Sequence, residues 1–463
     1  MSKIPYPNSI VDRFFRNVII DLVDAVNGHS KLIEDIKYSK PITDNTKSDY
    51  TGIKAPVLQP TDFTLEDHEL NGAVYTNGDY FVTDYTVRDE RKEFGKVYYV
   101  DQKNGDNSND GLTPDKALAS MLTAYNKTDV GTIVVIGMVC RYNGTYLVNL
   151  TKDINIIGYN EEAKLIMADL LSYQKESGYN NVYSAVRAGV GGVVDLSKKV
   201  NGGYESYTRV ETVDEVEANI KTYTTLDGKV YVNHNKTPIS DELISTLTSR
   251  NLTIPPTGAS YVYMENIEII GGARPFRNEN ENAELYFYNV KFLHGTQSNG
   301  NGLEIVGGKK VISERCHASH NVMDGFNYHK GKTGSLPYFI EINCSGNNNG
   351  ALKGTGGSRS DNGSTAHDGV KGIRLNGIYG NNDGGTIADV NEGTETWNLG
   401  VTAFNSLQGA DFLTSTGAKM WLDHCVSFGT SKSVNAINEN DMVFTRNCTF
   451  KGTIAGNGKV TEY

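Results

Sequence analysis

The chain is short of cysteine, of tryptophan and of long apolar runs, and these shortages remove whole classes of protein. Five Cys among 463 residues is an odd number, and none stands in a Cys-x-x-Cys pair. That argues against a disulfide framework and against a zinc module. No apolar stretch approaches the roughly 20 residues needed to cross a bilayer. The opening Met-Ser-Lys-Ile-Pro-Tyr carries no apolar signal core, so synthesis in the cytosol is expected, with action outside a cell still open. Lys and Arg total 44 against 55 Asp and Glu, a net charge of −11. Phosphate backbones are held by Lys and Arg, so nucleic acid is not an expected partner. An anionic polymer in a locally basic groove stays compatible. Gly354-Thr-Gly-Gly357 is not followed by Gly-Lys-Ser/Thr, which excludes a phosphate loop. The run Asp106 to Gly111 imitates the front of a calcium loop, but Ala117 stands where its closing Glu belongs. A network of Asx turns is expected there.

What is abundant is Gly (49), Tyr (27) and a repeat. Eight times a turn-prone residue precedes a small or β-branched one: Asn266-Ile267, Asn289-Val290, Arg315-Cys316, Asn343-Cys344, Gly377-Ile378, Gly400-Val401, His424-Cys425 and Asn447-Cys448. The apolar members are 23, 26, 28, 34, 23, 24 and 23 residues apart. Such a period means stacked units that bury their apolar faces only against neighbours. Short alternating runs such as Tyr286-Phe-Tyr-Asn-Val-Lys-Phe292 read as strands, and Asn or Gly suits the bend because both tolerate a left-handed backbone. A second strand follows in most copies, at 302–306, 324–329, 350–353, 386–390 and 411–414. Together these predict an all-β fold, a right-handed single-stranded parallel β-helix. Its four motif Cys fill the interior as small apolar residues, and a loop over 354–369 explains the longest coil.

Residues 1–40 read as an amphipathic helical segment for attachment or oligomerisation, with apolar positions from Ile10 to Val26 at helical spacing. Residues 41–95 read as a linker and small β region with a strand tract at 74–87, and 96–463 as the β-helix. A capping helix is expected at Thr113-Pro114 with its body over 117–125. Residues 170–260 interrupt the repeat as an insertion or subdomain, with helices at 213–220 and 241–248 and a hairpin around Asp227-Gly228.

From Lys96 onward the chain resembles the right-handed β-helices of the pectate-lyase-like superfamily, and bacteriophage tailspikes and appendages above all. The similarity is carried by Tyr98-Tyr-Val-Asp101 through Asn109-Asp-Gly-Leu-Thr-Pro114, by Asp324-Gly-Phe-Asn-Tyr-His329, by Thr365-Ala-His-Asp-Gly369 and by Trp397-Asn-Leu-Gly400. The resemblance implies a homotrimer in a virion tail, joined to other tail proteins through its N-terminal segment. It also implies binding, and often depolymerisation, of a capsule, an exopolysaccharide or a wall teichoic acid. A non-catalytic receptor-binding fibre and a bacterial polysaccharide lyase or hydrolase are the other readings.

Polar residues crowd between Cys316 and Ile378, where four of the nine His fall. His317, His320, Glu341 and Asp383 belong to that crowd or border it. In the run 324–329, Phe326 and Tyr328 are expected to face the core, Asn327 and His329 to face outward, and Asp324 to sit at the bend. Asp324, His329, His367 and Asp368 are the expected catalytic groups. Asn327, Lys330, Lys353, Arg359, Asp361, Lys371, Arg374 and Asp389 are the expected substrate-binding ones. Two carboxylates across a groove suit glycoside hydrolysis, and a base beside a uronate suits elimination. His329, His367 and Asp368 around a divalent metal would suit phosphodiester cleavage. No metal is required by the sequence. Asp-Gly pairs are also turn formers, so Asp324, Asp368 and Asp383 are equally read as bend residues.

Overall fold

The structure is a computed structural model that describes residues 55–76, 81–141, 149–160, 163–234, 239, 241–350 and 361–463. The helix expected over 8–37 lies outside these residues, as do Lys353 and Arg359. The chain divides into two compact units, residues 1–86 with 200–202, and 87–199 with 203–463. In the first, Ala55–Pro56, Val74–Thr76 and Phe81–Thr83 form a three-stranded antiparallel sheet, the small β region expected there.

The second unit is a right-handed parallel β-helix. A representative coil runs through Lys310–Glu314, bends at Arg315, continues through His317–Ser319 and then crosses to Phe326–His329. Each strand pairs in parallel with its equivalent one coil on, in register: Leu303, Phe326, Ser364, Ile387, Phe412 and Val434 form one inward column. In-register stacking at about 4.8 Å per coil lets like side chains pack. Phe276, Phe287 and Phe292 meet edge to face inside the coils at 5.2 to 6.3 Å, the arrangement their ring quadrupoles favour.

The bends carry the left-handed backbone that the repeat predicts, at Asn266, Asn289, Arg315, Asn343, Asn376, Gly400, His424 and Asn447. One copy lies a residue earlier than the repeat predicts. The register His317–Ser345–Ile378–Thr402 makes Asn376 the bend and Gly377 the inward residue. Ile378 points outward and is 36% exposed. Glycine is required there because a Cβ would lie 2.3 Å from the Tyr379 ring. Cys316, Cys344, Cys425 and Cys448 take the inward position as free thiols, as expected.

Three local expectations change. The coil holding the long loop has its second strand at Ser364–Ala366, paired with Phe326–Tyr328, so 364–366 leave the expected loop. The capping helix is split: a 3-10 turn covers Pro114–Lys116, and the α-helix is only Met121–Tyr125, capped by Ser120. Leu118 between them exchanges backbone hydrogen bonds with Tyr99 and Asp101, and pairing with the first strand outweighs helix propensity. The helix expected over 241–248 is the strand Leu243–Leu247, held antiparallel by Val190 to Asp195 and by Lys164–Asp169. Two other elements expected in the insertion are present, beside strands at Gln174–Lys175, Val182–Val186, Val190–Val200 and Gly203–Ser206 that its pattern does not predict. Its helix Val213–Ala218 has a Thr212/Glu215 capping box, and Asp227-Gly228 turns the hairpin with both φ positive. The Asx turns appear as Ser108 N to Asp106 and Leu112 N to Asp110. No described helix is long and apolar enough to cross a membrane.

Candidate functional site

The strand Phe326–His329 alternates as its pattern demands. Phe326 and Tyr328 are fully buried in the interior, so Asn327 and His329 project outward. One coil on, His367 follows the strand Ser364–Ala366 and its amide bonds the Tyr328 carbonyl. Asp368 and Gly369 then turn through positive φ. That turn brings Asp368 Oδ2 to 3.1 Å from His329 Nδ1. The His329 and His367 rings lie parallel, 4.1 Å apart at 10°.

Behind the imidazoles lies a polar ladder. Asn327 Nδ2 donates to Asp324 Oδ2 at 2.6 Å and to His367 Nε2 at 3.3 Å. Asp324 Oδ1 accepts from the backbone and side-chain nitrogens of Asn362 at 2.7 and 3.1 Å. The Asp324 amide donates to Asn301 Oδ1, so Asn301, Asp324 and Asn362 stack over three coils. Asp324 sits at the bend as expected, but buried beneath the imidazoles. Burial pushes its carboxyl up to about 7; the donors from Asn362, Asn327 and Thr365 oppose this and the charge of Asp361 adds to it. Burial, then the neighbouring His329, pushes His367 down to about 3, so this imidazole is neutral.

Glu304, which the sequence reading passed over, stands beside Asn327 in register. It pairs with Arg274 at 2.7 Å and with Arg277, and accepts from Asn301 Nδ2. Its signal was the outward position in the alternating strand Leu303–Val306. Of the expected substrate contacts, Lys330 is exposed at the strand end, and Asp361 is buried near Asp324. Lys371 turns to Glu395 at 3.9 Å.

Arg374 and Asp389 correct the sequence reading. Both are 0% exposed and point into the interior. Arg374 bonds Ser364 Oγ, Asn398 Oδ1 and Asp389 Oδ1 at 2.9 to 3.2 Å, lies 3.9 Å from Glu341, and covers the Phe339 ring. The register Glu341–Arg374–Asn398 makes one inward polar column, out of reach of a polymer on the surface. Burial raises both carboxyls, and Arg374 opposes the shift.

In this arrangement the Asp368 carboxyl engages His329 Nδ1, and an imidazole oriented in this way is the kind of group that general acid–base chemistry uses. His367 supplies a neutral ring beside it. Among the described residues no three His, Cys, Asp or Glu groups are disposed to hold a metal ion. Both inner nitrogens of the imidazole pair are already taken, by Asp368 and by Asn327.

No family profile and no curated protein matches the chain. Solved structures similar to it include XylC in complex with xylose, 11% identical with a TM-score of 0.47, covering 77% of this chain and 70% of that one. A glycoside hydrolase is 8% identical with a TM-score of 0.43, covering 80% and 96%. The pectate lyase Pel9A is 11% identical with a TM-score of 0.37, covering 79% and 78%. Likeness at this level carries no argument about what the present chain acts on.

Proposed function

We propose that this chain is a phage tailspike or appendage protein that binds a bacterial surface glycan, a capsule, exopolysaccharide or wall teichoic acid, and cleaves it. The observation that carries the reading is the Asp368–His329 pair stacked on His367, on the outer face of a sheet built from parallel coils. A row of coils offers a linear polymer successive subsites about 4.8 Å apart. His329 Nε2 acts as the base, oriented by Asp368, as general acid–base chemistry requires of a positioned imidazole. Glu304 with its two arginines lies in the preceding coils, in register with Asn327. The protein would work as a homotrimer on a virion tail, attached through its N-terminal segment.

The deciding experiment incubates the protein with wall and capsule fractions of candidate hosts. Unsaturated sugars absorbing in the ultraviolet would mark elimination, new reducing ends hydrolysis, and phosphomonoesters teichoic acid cleavage. Retained binding with no product from any fraction sinks the enzyme and leaves a receptor-binding fibre. The hydrogen bonds that saturate Asp324 favour that second reading for Asp324 itself, as a bend staple.

A further inference from the structure

The coils turn a second time at a row of left-handed residues that stand one above another: His294, His320, Asn348, Asn381 and Asn405. Asparagine suits such a bend, because its short polar side chain tolerates positive φ. Histidine takes its place in the two coils against which the insertion strand Gly203–Ser206 packs. The Tyr204 amide nitrogen lies 3.1 Å from His294 Nε2, and Ser206 Oγ lies 3.2 Å from its Nδ1. A backbone amide only donates, so Nε2 presents a lone pair and the neutral ring carries its proton on Nδ1. The His320 ring stands 5.1 Å from that of His294, and its Nδ1 lies 3.0 Å from Ser319 Oγ. A Cβ on Gly203 would lie 2.5 Å from that nitrogen, so the strand passes directly against the ring. A second proton on His294 has no place but Nε2. There its N–H would face the Tyr204 N–H, donor against donor.

We propose that His294 and His320 form an acid latch: a proton on His294 Nε2 breaks its bond to the Tyr204 amide, and the strand Gly203–Ser206 leaves the β-helix while the coils stay folded. A proton on His320 adds a second charge beside the first and against the Gly203 backbone. The other titratable and charged groups around the pair are engaged elsewhere. On the coils, Glu268 accepts from the Tyr204 hydroxyl and pairs with Lys291 at 2.7 Å and Lys164 at 3.9 Å, and His317 meets Ser345. On the insertion, Glu205 holds Lys198 and Lys221, each at 2.8 Å, and Asp195 accepts from Ser197. Among the described residues no carboxylate is bonded to either ring to offset a positive charge. Once released, both rings titrate near 6.5. Docked, they stay neutral: burial lowers both, His320 to about 4, and the neighbouring His320 lowers His294 further. The latch is therefore closed above pH 6.5 and weakens as the pH falls below it, by about tenfold per pH unit for each histidine. It stands apart from the proposed glycan cleavage.

The test is hydrogen–deuterium exchange of the full-length protein, read by mass spectrometry between about pH 7.5 and 5 and corrected for the intrinsic pH dependence of amide exchange. The expected result is a loss of protection at residues 203–206 of about 100-fold per pH unit below 6.5, with the coil strands Glu284–Leu293 and Tyr338–Ile342 still protected. In H294N/H320N, which carries at both bends the residue found at 348, 381 and 405, protection at 203–206 no longer changes with pH. Unchanged protection of 203–206 in the wild-type protein overturns the latch, and so does a loss that runs in parallel through the coils. An undiminished pH dependence in the double variant overturns it as well. The wild-type comparison of strand with coils decides the matter even if the double variant does not fold.

Discussion

At the scale of the residue, His329 is where geometry and chemistry meet most directly. Its Nδ1 is taken by Asp368, so its other nitrogen alone is available to a substrate. His329→Ala should lower cleavage by about 10²–10⁴-fold, the range a positioned acid–base group contributes, with an unchanged circular dichroism spectrum. Asp368→Asn should lose activity through kcat with KM little altered, because the ring loses its orientation and not its place. Steady-state rates on the fraction that yields product test both. The alternation of Asn327 and His329 with Phe326 and Tyr328 was legible in the sequence, since period-2 patterning assigns faces without knowledge of partners. The approach of Asp368 was not, because it depends on a turn at the end of the neighbouring coil. Asp324 looked catalytic as an acid in a polar crowd, but what it touches is Asn362 and Asn327.

At the scale of the element, the interior column is set by what the adjacent coil leaves free. Gly377 leaves room for the Tyr379 ring, itself buried and bonded through its hydroxyl to Glu341. Gly377→Ala should cost about 1–3 kcal/mol, as overpacking does, visible as a lower urea midpoint. Arg374 neutralises Glu341 and Asp389 inside the coils. Arg374→Met should cost about 3–5 kcal/mol, because it strands buried carboxylates without a counter-charge. Equal stability of that variant would show that the column is not charged. Asp411, fully buried between Ser427, Ser406 and Thr386, is pushed up to about 7 by burial. An unfolded Asp titrates near 3.9, so between about pH 4 and 7 only the folded chain holds the proton. Stability from this group therefore falls as the pH rises through that window, by up to about 1.4 kcal/mol per unit, and levels off above 7. Asp411→Asn should shrink the difference between urea midpoints at pH 5 and 7.5.

At the scale of the whole molecule, the solenoid makes stability local. Each coil contacts its neighbours alone, so energetic terms add along the axis. The proposed homotrimer is checked by sedimentation equilibrium of the purified chain: a mass of three chains is expected, and a monomer at micromolar concentration counts against the tailspike reading. The repeat by itself determined the coils, the left-handed bends and the inward thiols, because a stacked fold writes its period into the chain. It also located the polar crowd on the coils that hold the candidate site. Tertiary structure alone decided which members of that crowd meet. Register places Glu304 beside Asn327 and turns Arg374 and Asp389 inward. Strand pairing also overrides the helices expected around Leu118 and Leu243. The reason is physical: periodicity reports which face a residue takes within its own strand, whereas contact between coils depends on loop lengths and on backbone partners that no single segment encodes.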